Sequence, residues 1–401
     1  MTTRVAAALV CGLLGLTLAD GVRAQEPSAP QTVSPEQLKA SIDKLGDLDY
    51  ATRTNAARLV RRTAPAQALP ALLQAAAEHA DGYVRYRALV LLTGFNDPRT
   101  RDAMRQSLAS PNDRLRAVAY SYFEHEPDAS LLQQFVTALD KEQGEFVRPA
   151  LVRALAALVA IDATPAVAGA QQGLVRDVGR GEDFFRSSVI EALGDYKAMY
   201  AYDAITQVAK AEGPLQDDAA LALGKIHDTR ALETLAGLQR TAPRSAQPSI
   251  AAAICLLGVN CDAHTGFLVE TLKFSDKNAG FQELLRAAAA GLGALGVAGR
   301  QTAVDALLDV GIPAKDDSTR APVALAFATV ALRRTSLAVT VLEGYRDREA
   351  AIGLLADGFD MLEEDLDKER FFAFARRAYW DSADGSPRRA LMQTLIARLD
   401  F

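Results

Sequence analysis

One short signature constrains this chain more than any other feature. Asp49-x-x-x-Arg53 recurs as Asp81-x-x-x-Arg85 and Asn112-x-x-x-Arg116, and continues as Gly144-x-x-x-Arg148 and Glu182-x-x-x-Arg186. The arginines are 32, 31, 32 and 38 residues apart. Small or apolar residues follow each arginine at helical spacing, and Gly, Pro and Asp interrupt the pattern every dozen residues or so. Each period therefore holds two short helices. Such a pair cannot bury its own apolar face, whereas a stack of pairs buries a continuous one.

Composition agrees with helix rather than sheet. Hydrophobic residues make up 49% of the 401 positions but aromatics only 6%. Ala and Leu, the best helix formers, supply most of the apolar material. The spacing predicts helix pairs from Pro35–Leu45 with Tyr50–Arg62 through Arg370–Tyr379 with Ser386–Leu399. Ser34-Pro35-Glu36-Gln37 starts the first helix, with Ser at the N-cap, Pro in the first turn and Gln at the capping-box position. The small-residue ends Ala192-Leu-Gly194, Ala222-Leu-Gly224, Leu256-Leu-Gly258 and Ala294-Leu-Gly296 are expected to be left-handed helix caps.

The N-terminus has a different character. Arg4 precedes an apolar run, Val5 to Leu18, and Val22-Arg23-Ala24 resembles a cleavage site. Residues 1–24 are expected to be a secretory signal peptide, and 25–33 a flexible leader. The array then occupies 34–401, regular over 34–226 and more divergent over 227–401. The apolar run is too short to span a membrane comfortably, and no integral membrane segment is expected after cleavage. The expected location is periplasmic or secreted. The formal net charge is −6, and cleavage would remove Arg4, Arg23 and Asp20. An acidic chain lacks the global field that draws nucleic acid, so no nucleic-acid partner is expected.

The run Leu45-Gly-Asp-x-Asp49-x-x-x-Arg53-x-x-Ala56-Ala57-x-x-Leu resembles the HEAT repeat and its bacterial HEAT-like variants. The resemblance implies an all-α fold, an α-solenoid of about eleven stacked antiparallel helix pairs. It also implies a binding scaffold whose second helices form a concave face.

Few residues suggest chemistry. The ladder Asp49, Arg53, Asp81, Arg85, Asn112, Arg116, Arg148 and Arg186 reads as structural. Asp or Asn can cap each second helix, and the arginine can bridge to caps and turns of neighbouring repeats. Cys255 and Cys261 fit either a local disulfide or two independent thiols. With His264 they lack the paired spacings and the fourth ligand of a zinc site. Gly291-x-Gly293-x-x-Gly296 falls late in a helix with no strand before it, so it reads as helix packing rather than a dinucleotide loop. The acidic stretch Asp357–Arg370 lacks the order of a calcium loop and reads as a solvated face.

One turn along the second helices, Arg58, Tyr86, Arg87, Tyr120 and Arg153 are candidate partner-binding residues, since Tyr and Arg are enriched among interface anchors. Filling of gaps between repeats explains Tyr86 and Tyr120 equally well. The expected function is a non-catalytic, exported scaffold for a protein or peptide partner, with no cofactor. Alternatives are a lyase-associated HEAT-like enzyme or accessory module, and a structural assembly factor of an envelope complex.

Overall fold

A computed structural model describes residues 30–162, 164–278, 280–399 and 401. The expected signal peptide and the first part of the leader lie outside the described residues. Among those described there are 22 α-helices and no strand. The first pairs are α1 (Pro35–Asp43) with α2 (Tyr50–Arg62), α3 (Pro65–Glu78) with α4 (Gly82–Leu92), and α5 (Arg99–Ser107) with α6 (Asp113–His125). Next come α7 (Leu132–Leu139) with α8 (Val147–Ile161), α9 (Ala168–Asp177) with α10 (Asp183–Asp195), and α11 (Tyr202–Lys210) with α12 (Gln216–Ile226). Then follow α13 (Ala231–Thr241) with α14 (Gln247–Leu256), α15 (Cys261–Lys277) with α16 (Gln282–Val297), and α17 (Gln301–Gly311) with α18 (Asp317–Arg333). The last are α19 (Thr335–Gly344) with α20 (Arg348–Met361), and α21 (Asp365–Asp381) with α22 (Pro387–Arg398).

Local chemistry sets where helices start. The Ser34 hydroxyl accepts from the Gln37 amide at 3.1 Å. Asp49, Asp81 and Asn112 accept from the amides of Thr52, Tyr83 and Arg114 at 2.7, 2.8 and 2.9 Å. Each bond satisfies one of the orphan donors of a first turn.

The even-numbered helices pack on one another from α4 through α22 and form the inner layer, with most odd-numbered helices outside. Glycine lets this inner layer close up. A Cβ at Gly224 would lie 2.5 Å from Ala253 Cα, and one at Gly296 would lie 2.7 Å from the Val330 side chain. This corrects the cap expectation for Gly194, Gly224 and Gly296, which lie within helices. The left-handed positions after the first two are Lys197 and His227, and Gly299 follows the third. Gly258 alone of the four has positive φ, at 83°.

The leader also departs from expectation. Gln31 pairs with the turn between α2 and α3, donating to the Arg62 carbonyl at 2.7 Å and accepting from the Ala64 amide at 2.8 Å. Val33 exchanges two hydrogen bonds with the Gln67 side chain. The described end of the leader is thus pinned to the first repeats.

The apolar core divides into two clusters that meet in α14, one running from Leu38 to Ile254 and the other from Ala252 to Phe401. Leu366, on α21, belongs to the first cluster despite its place near the C-terminus. It marks the main surprise of the fold. α21 leaves the outer layer and lies against the inner helices α4, α6 and α18. The last repeat therefore meets the first ones, and the array closes on itself. α21 also begins five residues earlier than its spacing suggests, because Asp365, Asp367 and Glu369 are part of the helix rather than of a solvated loop.

Candidate partner-binding face

The ladder arginines are structural, but their partners sit closer than expected. Arg53 donates to the Asp47 and Leu48 carbonyls at 2.7 and 2.9 Å. Arg85 donates to Ala76 O at 3.1 Å, and Arg186 to Val178 O at 3.0 Å. Arg116 reaches Ser110 O at 2.8 Å. Each ties down carbonyls near the end of the preceding helix in its own pair, where the backbone lacks acceptors' partners. Only Arg116, through Glu142 at 2.8 Å, and Arg148, 3.5 Å above the Phe185 ring, bridge to the next repeat.

The five candidate binding residues do not form one open surface. Arg58 donates to Asn55 Oδ1 at 2.9 Å along α2. Tyr120 is core, 2% exposed, with its ring edge-on to Phe135 at 5.2 Å. Burial pushes its hydroxyl up to about 12. It fills the gap between repeats and is not an anchor for a partner.

Tyr86 and Arg87 face inward and are already engaged. The Tyr86 hydroxyl donates to Asp365, and Arg87 Nη1 lies 2.7 Å from the same carboxylate oxygen. Burial, and then the Asp365 charge, push the Tyr86 hydroxyl well above its usual range. Burial acts against the Asp365 charge, but Arg87 and the tyrosine outweigh it and hold the carboxyl below the ordinary value.

Two further carboxylates on α21 reach the other inner helices. Glu369 Oε2 is 2.8 Å from both Arg61 Nε and Nη2, and these two side chains are 1% and 6% exposed. Asp367 Oδ1 lies 2.6 Å from His125 Nε2, an ion-pair distance with the ring off line for a hydrogen bond. Burial opposes ionisation of Asp367, and His125 and Arg333 overcome it. Arg376 adds a bond to the Arg61 carbonyl at 3.0 Å, and Arg61 lies over the Phe372 ring at 5.2 Å. The expectation of a solvated acidic face fails for Asp365, Asp367 and Glu369, which meet Arg87, His125 and Arg61 across the array, and holds for Asp360 and Glu363, which are exposed.

Behind this seam lies a cavity of about 1280 Å³ lined by α6, α8, α10, α12, α16, α18 and α21. One wall is a charged network. Arg153 contacts Glu124 Oε1 at 2.8 Å and Asp195 Oδ2 at 3.0 Å, Tyr196 donates to Glu124 at 2.9 Å, and Lys225 meets Asp195 at 2.7 Å. Arg333 joins Glu364 at 3.1 Å and approaches Glu124 at 3.6 Å. Glu191 opens to the cavity, yet the surrounding helices push its carboxyl up by desolvation. Apolar side chains, among them Ala290, Val297, Pro322, Leu325 and Phe374, also line the cavity. Among the described residues, no group of three or more His, Cys, Asp or Glu side chains is placed to hold a metal ion.

Cys255 and Cys261 are joined by a disulfide across the α14–α15 turn, with Cα atoms 4.2 Å apart. Among the described residues, no single helix is long and apolar enough to cross a membrane.

The family model for HEAT repeats matches residues 38–124 and 69–156, the stretch that carries the ladder from Asp49 to Arg148. Residues 38–156 are HEAT repeats. No curated protein is similar to it in sequence. Among solved structures it is similar to a chain of the CpcE–CpcF complex of phycocyanin lyase from Nostoc sp. PCC7120. The identity is 19% and the TM-score 0.41, over 67% of this chain and 97% of that one. It is also similar to a chain in the structure of Kap95p with RanGDP, at 13% identity and TM-score 0.43 over 92% of this chain. Importin beta gives 15% identity and TM-score 0.41 over 90%. The HEAT array here spans 55% of each of those two chains.

Sequence reasoning missed the inward partners Arg61, His125, Glu124 and Arg333, and misread Asp365, Asp367 and Glu369. The signal was a run of acids at alternate positions, only partly offset on its own helix by Lys368, opposite inward basic residues on early repeats. Nothing in the linear sequence matches the two groups to each other.

Proposed function

We propose that this HEAT array is an exported, non-catalytic scaffold that holds a protein or peptide partner against its inner helices. The observation that carries the reading is α21 itself. The inner faces of α2, α4 and α6 already bind a helical segment of polypeptide through Arg61, Tyr86, Arg87 and His125. Surfaces built from Arg and Tyr suit that task, since their planar groups form directed contacts at modest entropic cost. Export rests on the N-terminal Arg4, the apolar run and the small-residue site ending at Ala24.

Two measurements test this. N-terminal sequencing of protein recovered from the periplasm or medium should begin at Gln25; a chain retained in the cytoplasm with Met1 intact would refute export. Affinity capture from envelope extract, followed by cross-linking, should place the partner against even-numbered helices. Cross-links confined to the outer, odd-numbered helices would sink the inner-face reading.

A further inference from the structure

The seam says more about the partner than the fold does. We propose that the inner face of α2, α4 and α6 is a docking surface for an acidic helical segment, that α21 is its resident occupant, and that a partner binds by displacing α21. The inference rests on the scaffold reading above and specifies the partner's chemistry.

Charge complementarity is the first support. Three successive inner helices each contribute a cation or potential cation, Arg61, Arg87 and His125. One five-residue stretch, Asp365-Leu-Asp-Lys-Glu369, supplies the three carboxylates that meet them. Asp365 and Glu369 are one helical turn apart and so share a face of α21, which lies along α4 and reaches α2.

The second support is the character of the contact. On the N-terminal side the only α21 residue in the apolar core is Leu366, whereas Phe371, Ala375 and Tyr379 belong to the C-terminal core. The seam is held to the first repeats mainly by polar bonds. Contacts of that kind are typical of units that move relative to each other.

Third, the resident fit is incomplete. Glu369 Oε1 is buried without a hydrogen-bond partner, and a Cβ at Gly94 would lie 2.7 Å from it. The glycine makes room for the carboxylate, but among the described residues no side chain or backbone group donates to its second oxygen. Burial also pulls the Arg376 guanidinium below its ordinary range, ahead of the opposing Glu369 charge. A buried unsatisfied oxygen weakens the closed state relative to an open one in which water reaches it. A competing segment still faces an intramolecular rival with an effective concentration on the order of millimolar. The intact chain should therefore bind an acidic helix weakly until α21 is loosened.

The test uses the full chain and a fluorescent peptide copying Leu362–Asp381, with a control peptide carrying Asn, Asn and Gln at the three acidic positions. Anisotropy titration should show binding to the Asp365→Asn/Asp367→Asn variant at least about tenfold tighter than to the unmodified chain. The control peptide, or addition of Arg87→Gln to the variant, should reverse that gain. Equal binding of both peptides, or no binding to a variant that keeps its helical circular dichroism, overturns the proposal. If the variant does not fold, hydrogen exchange on the unmodified chain decides. Amides of α21 should exchange through an opening that leaves α10 and α12 protected; exchange of α21 only on global unfolding overturns displacement. A partner cross-linked to the inner helices together with failure of the peptide would leave the scaffold reading standing and remove this one.

Discussion

Arg61 and Glu369 are 308 residues apart in sequence, and two guanidinium nitrogens of the first meet one carboxylate oxygen of the second at 2.8 Å. The pair joins the first repeat to the last. Both side chains are almost fully buried, so loss of either strands a charge in a poorly solvated site. Arg61→Ala should cost about 3–5 kcal/mol of unfolding free energy, and the double replacement Arg61→Met/Glu369→Leu should recover most of it. Urea unfolding measures both. A single-variant loss below about 1 kcal/mol would show that the pair behaves like an exposed one.

Asp365 adds a pH dependence to the same seam. Its carboxyl sits below the ordinary value, so the folded state favours the ionised form. The stabilisation is present above the unfolded pKa of about 3.9 and disappears as pH falls through the folded value. Asp365→Asn should thus lower the melting temperature at pH 7, and the difference from the unmodified protein should shrink as pH falls below about 4. A difference that stays constant over that window would rule out ionic linkage at Asp365.

Asp217, on α12, behaves in the opposite sense. Burial, with the neighbouring Asp218 charge, pushes its carboxyl up to about 6. The folded state holds this proton more tightly than the unfolded chain, so stability is lost as pH rises from about 4 towards 6 and then levels off. Asp217→Asn should stabilise by roughly 1–3 kcal/mol at pH 7.5 and by little at pH 3.5. Melting curves at the two pH values check both size and sign.

Gly224 tests the close approach of inner helices. An added methyl would fall 2.5 Å from Ala253 Cα and 2.7 Å from its carbonyl oxygen, both backbone atoms. Gly224→Ala should therefore cost about 1–3 kcal/mol by forcing α12 away from α14, despite alanine's better helix propensity. Chemical denaturation would expose a stabilising outcome, which the geometry forbids.

The disulfide gives a chemical prediction. Protein lacking residues 1–24, denatured without reductant, should show no reactive thiol; two would exclude the Cys255–Cys261 bond. Because the bridge closes only a short loop, reduction should destabilise by about 2 kcal/mol, at the low end for disulfides.

Local features were legible in the linear chain because they depend on neighbours in sequence. The recurrence of Asp49/Arg53 at Asp81/Arg85 fixed the repeat, and capping by Asp49, Asp81 and Asn112 follows from side chains that reach amides two or three residues away. Helical spacing also separated the ladder from Tyr86 and Arg87, which point elsewhere. What an inward side chain meets is another matter. Tyr86 and Tyr120 both lie on successive inner helices just beyond a ladder arginine, yet Tyr120 packs on Phe135 in the core and Tyr86 bonds Asp365.

The amino-acid sequence by itself determined an array of helix pairs, its N-caps at Ser34, Asp49, Asp81 and Asn112 and the structural part of its ladder, since each is decided within one or two repeats. Tertiary structure alone decided that the array closes. A small rotation per repeat accumulates over the whole chain, and its sum brings Asp365, Asp367 and Glu369 to Arg87, His125 and Arg61. No local pattern encodes that sum, so an acidic run that reads as a solvent-facing surface becomes the buried half of a seam.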